Sequence, residues 1–336
     1  MQPDHYSPTV VITGASAGVG RATAIAFGQL GCNVGLLARD PEALERTQAD
    51  VQTIGGQGLV LPADVAEPVA VEQAAERVEK ELGPIDIWIN CAMATVFSPF
   101  YEMTPDEYWR VTQVTYLGQV HGTMAALKYM RARDHGTIIQ VGSALAYRGI
   151  PLQSAYCGAK FAIRGFTDSL RSELIHEGSH IRLSMVQLPA VNTPQFVWAR
   201  NRLPRHPQPV PPIFQPEPIA QGILYAAETT PRELWLGKSA LQVILGSMTV
   251  PRILDRMLAK RAYAGQQTET PADPHRADNL FKPVAGKHQV HGPFDQRAKS
   301  RALRVTQSSV RNTLLTSILG FLVGGFLSGF LLAKRR

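Results

Sequence analysis

The chain has 336 residues, 45% hydrophobic and 18% charged, enough to bury the core of an α/β domain with length to spare, which excludes a disordered or fibrous protein. Its formal net charge of +7 invites a nucleic-acid reading, yet eight of the 34 basic residues and none of the 27 acidic ones fall in residues 297–336. The body is near neutral and the basicity belongs to the tail, a pattern that speaks against a nucleic-acid partner and suits a membrane surface.

In chain order, β-rich runs are predicted at residues 9–13, 33–38, 58–62, 85–90, 137–141, 182–188 and 234–237. Helical patterns at 18–30, 41–54, 68–82, 105–132, 154–176 and 218–227 separate them. Pro41, Pro68, Pro105 and Pro218 stand where helices start, which suits a fixed φ and a missing N–H. Repeated β–α alternation predicts a doubly wound parallel sheet forming one α/β catalytic domain over residues 1–240.

Residues 204–218 carry seven prolines and read either as a lid over a ligand site or as a stiff connector. Residues 241–263 have apolar and basic side chains at near-helical spacing. This amphipathic extension either lies on a membrane surface or closes the substrate pocket, or else simply packs against the main domain. Residues 264–313, rich in Gly, Pro, Gln, His and Asp, read as a flexible basic linker. Its His275, His288 and His291 lack ligand spacing, so no metal is expected.

Residues 314–333 carry no charge and include twelve Leu, Ile, Phe or Val. As a helix this segment spans about 30 Å, the thickness of a bilayer core. At roughly −0.5 kcal/mol per apolar residue its insertion gains about 6 kcal/mol before the polar penalties. It is read as a transmembrane helix, a single-pass C-terminal anchor whose basic flanks keep the catalytic domain in the cytoplasm. Gly320 with Gly324, and Gly325 with Gly329, permit close helix approach. Cys32, Cys91 and Cys157 are odd in number and widely spaced, and the N-terminus shows no secretory signal pattern. A reducing compartment fits both.

After the first predicted strand comes Thr13-Gly14-Ala15-Ser16-Ala17-Gly18-Val19-Gly20. Glycines there let the backbone turn tightly and approach a pyrophosphate resting on a helix N-terminus. The second strand ends at Ala38-Arg39-Asp40. An NAD site needs a carboxylate for the ribose hydroxyls, whereas an arginine accommodates a 2′-phosphate. Arg39, helped by the Ser16 hydroxyl, points to NADP(H); Asp40 is the competing feature, an NAD acid displaced by one residue.

Ser143 precedes Tyr156 by thirteen residues, and Lys160 follows one helical turn after Tyr156. An ammonium so placed is expected to lower the phenol pKa, so that Tyr156 exchanges a proton with a carbonyl oxygen as general acid/base. Ser143 at a strand end can hydrogen-bond the same oxygen.

These residues resemble the classical short-chain dehydrogenase/reductase family over roughly residues 8–240. The resemblance rests on Thr13–Gly20, Asp64-Val65 after the third strand, Asn90 after the fourth, and the Ser143, Tyr156 and Lys160 set. It implies a Rossmann fold and reversible carbonyl–alcohol chemistry. It also implies that Asp64 and Val65 hold the adenine, that Lys160 binds the nicotinamide ribose, and that Val191 and Thr193 contact the carboxamide. The cofactor-binding set is then Thr13, Gly14, Ser16, Gly18, Val19, Gly20, Arg39, Asp64, Val65, Asn90, Ala92, Tyr156, Lys160, Val191 and Thr193.

Three positions depart from the family pattern. Met93 replaces a small residue in Asn90-Cys91-Ala92-Met93, Thr115 stands where an Asn supports the proton-relay water, and Pro189-Ala190 replaces Pro-Gly. The anchor suggests a lipophilic carbonyl or alcohol substrate, for which Phe196, Trp198 and Phe214 are candidate pocket residues. A homo-dimer or tetramer is implied by the family. The rival reading is a membrane-anchored NADP-binding sensor or scaffold without turnover. Cys157, beside Tyr156, reads either as redox-sensitive or as a small core residue.

Overall fold

The computed structural model describes residues 7–273, 275–286, 288–313 and 316. Eight strands form the main sheet: β1 (Thr9–Thr13), β2 (Asn33–Ala38), β3 (Gln57–Pro62), β4 (Ile85–Asn90), β5 (Thr137–Ser143), β6 (Arg182–Leu188), β7 (Glu233–Leu236) and β8 (Arg304–Thr306). Their spatial order is β8-β7-β6-β5-β4-β1-β2-β3. All neighbours are parallel except β8, which runs antiparallel to β7. The strand order reverses between β1 and β4, so the carboxyl ends there frame the crevice in which open α/β sheets take ligands.

Alternation along each strand divides the core in two. Ile12, Leu36, Ile89 and Val186 face one side with α1 (Gly18–Gly28) and α8 (Pro216–Thr229). Val11, Leu37, Trp88 and Ile138 face the other, against α3 (Pro68–Glu81), α5 (Gly118–Arg133) and α6 (Ser154–His176). All eight of these side chains are completely buried, as a period of two requires of a sheet covered on both faces.

Helix starts follow local chemistry. Asp40 caps α2 (Pro41–Thr53) by accepting from Ala43 N at 3.1 Å. Thr104 and Glu107 close a reciprocal capping box on α4 (Pro105–Thr112). The single helix expected over 105–132 is divided: a π-helical turn at Gln113–Leu117 separates α4 from α5. It falls at Thr115, whose hydroxyl is tied to the Ala94 backbone.

After the short α7 (Gln195–Trp198), the proline-rich stretch contains the strands Arg205–Pro207 and Ile213–Phe214 and a cis Pro211–Pro212 bond. The amphipathic extension forms two helices, α9 (Lys238–Thr249) and α10 (Pro251–Gly265), since Pro251 cannot continue a helix through its missing N–H.

Residues 264–313 do not form the linker expected from their composition. They supply β8 and a strand Gln267–Pro271 paired with Arg205–Pro207, and they bury Leu280 and Phe294. What holds them is not periodicity but arginine side chains donating to their carbonyls, among them Arg21 to His288 and Arg110 to Leu280. Among the described residues no helix is long and apolar enough to cross a membrane. The expected anchor at 314–333 lies, Thr316 apart, outside the described residues.

Candidate active site

One cavity of about 390 Å³ runs along the carboxyl ends of β1, β2, β4, β5 and β6. At its nucleotide end the turn between β1 and α1 has Gly14 at φ 73° and Gly18 at φ 54°, values that favour glycine. A Cβ on Gly20 would stand 2.1 Å from the Gly14 carbonyl oxygen, so this helix start admits no side chain there. Gly14, Ser16, Gly18, Val19 and Gly20 line the cavity, and so do Arg39, Asp64 and Val65. The turn thus offers the close backbone approach and helix N-terminus that a dinucleotide pyrophosphate needs.

Two expected residues lie beneath this floor rather than in it. Thr13 Oγ1 accepts from Cys91 N and Ala92 N at 2.9 and 3.1 Å, tying the turn to the end of β4. Asn90 is fully buried; it accepts from Trp88 Nε1 at 2.8 Å and donates to Thr123 and Gln140. Ala92 and Met93 do line the cavity. Asp64 is paired with Arg110, a partner its sequence context does not announce. At the far side, Val191 and Thr193 line the wall, the Thr193 side chain lying 3.0 Å from where a Cβ on Gly18 would be.

Ser143, Tyr156 and Lys160 converge at the other end. β5 delivers Ser143 at its last position, and α6 places Tyr156 and Lys160 one turn apart. Lys160 is buried, donates to the Val141 carbonyl at 2.7 Å, and holds Nζ 5.6 Å from the Tyr156 ring centre. Burial pushes its ammonium down to about 8. Burial likewise pushes the Tyr156 phenol well above its ordinary value, against the pull of its hydrogen bond with Ser143. The expected lowering by Lys160 is therefore not met in the chain alone: desolvation dominates, and the opposing pull comes from Ser143.

Thr115, expected to support the relay water, has its hydroxyl engaged by backbone. Its Oγ1 donates to Ala94 O at 2.8 Å and accepts from Ala94 N at 2.9 Å, and the residue is not part of the cavity wall. Cys91 and Cys157 are both pushed up to about 11 by burial, and Cys157 packs as a buried thiol.

The substrate end is apolar. Ile150, Val210, Val243, Leu258, Ala262 and Phe196 line it, with Trp198 further along. Phe214 instead packs in the core, its backbone pairing with Val191. The polar members of this end include Gln208, Ser239 and Gln153, the last buried and donating to Gln266 at 2.7 Å. The place of Gln153 one turn before Tyr156 is the signal that could have found it. No comparable signal marks Asn279, Pro283, Val284 and His288, which roof the nucleotide end.

The family model described as short chain dehydrogenase matches residues 8–202. YxnA of Bacillus subtilis (strain 168), described as an uncharacterized oxidoreductase, is 32% identical over 281 residues, 83% of this chain and 79% of its own. The 3-dehydrosphinganine reductase of Danio rerio is 30% identical over 220 residues, covering 63% of this chain and 66% of that protein. The human dehydrogenase/reductase SDR family member 7 is 36% identical over 169 residues, 49% of this chain and 50% of its own.

Proposed function

The chain belongs to the short-chain dehydrogenase family of oxidoreductases, which bind a nicotinamide cofactor, and we propose that it interconverts a carbonyl and an alcohol using NADP(H), on a lipophilic substrate. The observation that carries this reading is the meeting of Ser143, Tyr156 and Lys160 at one end of a cavity whose other end holds the glycine turn and Arg39. When bound, the nicotinamide exchanges a hydride with the substrate carbon. Tyr156 gives its phenolic proton to the carbonyl oxygen in reduction and takes it back in oxidation. Ser143 donates a hydrogen bond to that oxygen as charge gathers on it. Lys160, held by the Val141 carbonyl, supplies the positive charge that makes phenolate less costly.

NADP rather than NAD is supported by Arg39 on the cavity wall, a guanidinium suited to a 2′-phosphate. The lipophilic substrate is supported by the apolar wall, and a relative named as a 3-dehydrosphinganine reductase fits it. Residues 314–333 make the enzyme a single-pass membrane protein in this reading, its catalytic domain in the cytoplasm. The chain works as a homo-dimer or tetramer.

The engagement of Thr115 by Ala94 favours the rival, an NADP-binding sensor without turnover. The deciding experiment follows NADPH oxidation by the full chain against apolar and water-soluble carbonyls, with Tyr156→Phe alongside. Turnover of apolar ketones that falls about 10²-fold or more in the variant, with NADPH binding retained, supports the enzyme. Tight NADPH binding with no turnover of any carbonyl favours the sensor.

A further inference from the structure

Residues 275–286 and 288–292 cross the nucleotide end of the cavity and are gripped there by the residues around it. Leu280 is completely buried in the core cluster that contains Val65, Val111 and Val114. Arg39 donates to the carbonyls of Asn279 and Leu280, and Arg110 to that of Leu280 at 3.0 Å. Gly18 N donates to Gln289 O at 3.0 Å, and Arg21 to His288 O at 2.6 Å. The segment therefore forms one wall of the site that the glycine turn and Arg39 begin.

Within it, His288 meets the residue on which cofactor choice turns. Asp40 follows Arg39 directly, and a free carboxylate there would bind ribose hydroxyls and repel a 2′-phosphate. Each of its oxygens has a close neighbour. Oδ1 accepts from Ala43 N as the cap of α2, and Oδ2 lies 3.2 Å from His288 Nε2. Nε2 also lies 2.7 Å from the Val284 carbonyl. Both neighbours are acceptors, so Nε2 carries the proton and donates. The ring lies against Trp198, with 4.9 Å between centroids, and the side chain is 8% exposed. Its Nδ1 is buried without a hydrogen-bond partner, the condition of a polar atom that awaits one.

We propose that His288 is a specificity-determining residue of the cofactor site: it masks the Asp40 carboxylate and joins Arg39 and Ser16 in selecting a 2′-phosphorylated ribose. This deepens the NADP(H) reading and rests on it. The geometry makes the C-terminal segment part of the nucleotide site rather than an appendage. Asp40 lines the cavity, but as a helix cap with His288 against its second oxygen, and on this proposal it does not serve as the NAD acid.

The experiment titrates NADPH and NADH separately into the full chain by fluorescence and compares the ratio of their Kd values among variants. His288→Leu bares the carboxylate and is expected to raise the NADPH Kd about tenfold while leaving that of NADH within twofold, an electrostatic selectivity of the usual size. Adding Asp40→Asn, which keeps a capping oxygen but removes the charge, is expected to restore NADPH binding. His288→Gln, which retains a donor, is expected to lose less. Equal weakening of both nucleotides in His288→Leu, unmoved by Asp40→Asn, would reduce His288 to a packing residue and overturn the proposal. An unchanged ratio would overturn it too, with the NADP(H) reading left standing. Preference of the parent chain for NADH would instead sink that reading, and this inference with it. Thermal melts of each variant, in parallel, separate loss of fold from loss of selectivity.

Discussion

At Gly20 the demand of the nucleotide turn is absolute, because the nearest atom to an added Cβ is backbone, 2.1 Å away at the Gly14 carbonyl. Gly20→Ala must push the turn from the helix start, and the strain typical of overpacking is about 1–3 kcal/mol. The expected outcome is loss of NADPH binding together with a lowered denaturant midpoint; binding at parental affinity would refute the assignment. Lys160 makes a different kind of prediction. In the folded chain its proton is lost near pH 8, in the unfolded chain near 10.5. Below pH 8 both states hold the charge and burial costs about 3 kcal/mol. Between the two values only the unfolded chain stays protonated, so this group's contribution to stability improves as pH rises through that window. Lys160→Met removes that slope, and urea midpoints measured across it should converge toward those of the parent as pH increases. Parallel curves would show that the ammonium is not desolvated. The identities of Gly20 and Lys160 were plain in the sequence, since turn chemistry and one-turn spacing are local. Their ionisation was not, because the burial that sets it comes from residues remote in the chain.

Elements show the same division. The first seven strands declare themselves by short apolar runs between turns, and the helices between them by period and leading proline. β8 does not: Arg304-Val305-Thr306 has no apolar run, and only pairing with Leu234–Leu236 makes it a strand. The π-helical turn at Gln113–Leu117 is equally silent, and Thr115 at its centre bonds a loop twenty-one residues earlier, a contact no local pattern announces. Leu280, beside an exposed Phe281 that the sequence does not distinguish from it, becomes core only through Val65 and its neighbours. The amphipathic stretch was legible, and closing a pocket was among its expected roles; its division into α9 and α10 at Pro251 was not. Of its expected roles the structure bears on the pocket alone: Val243, Leu258 and Ala262 line the cavity, while Met248, Ile253 and Met257 are exposed. If this pair sets substrate size, Val243→Trp should fill part of the cavity. The expected result is a fall of about tenfold in kcat/KM for long apolar ketones, on the order of 1–3 kcal/mol lost in a hydrophobic pocket. Short ketones should be turned over as before, and uniform loss across chain lengths would place the substrate elsewhere.

For the whole molecule, the net positive charge gathers at the C-terminal end of the chain, where several exposed apolar side chains also lie. The exposed face of α10 carries Ile253 and Met257 beside Arg252, Arg256, Lys260 and Arg261, a combination that binds anionic interfaces. The sequence continues through the basic residues 297–311 to the uncharged stretch 314–333. A cavity walled by α9 and α10 would then open close to the bilayer, which would account for an apolar substrate end in a domain whose body is otherwise near neutral. Two contributions of different strength are expected in flotation with anionic vesicles. The full chain should float and stay bound in high salt, because insertion of an apolar span is insensitive to screening. A chain ending at residue 313 should bind weakly and be released by salt, as a basic amphipathic surface is. Adding Ile253→Glu and Met257→Glu to the shortened chain should abolish that residual binding while leaving turnover of water-soluble carbonyls intact. Flotation of the shortened chain that resists salt would move the anchor to α9 and α10. Failure of the full chain to float would remove the membrane from this enzyme's function and, with it, the argument that its substrate is drawn from lipid.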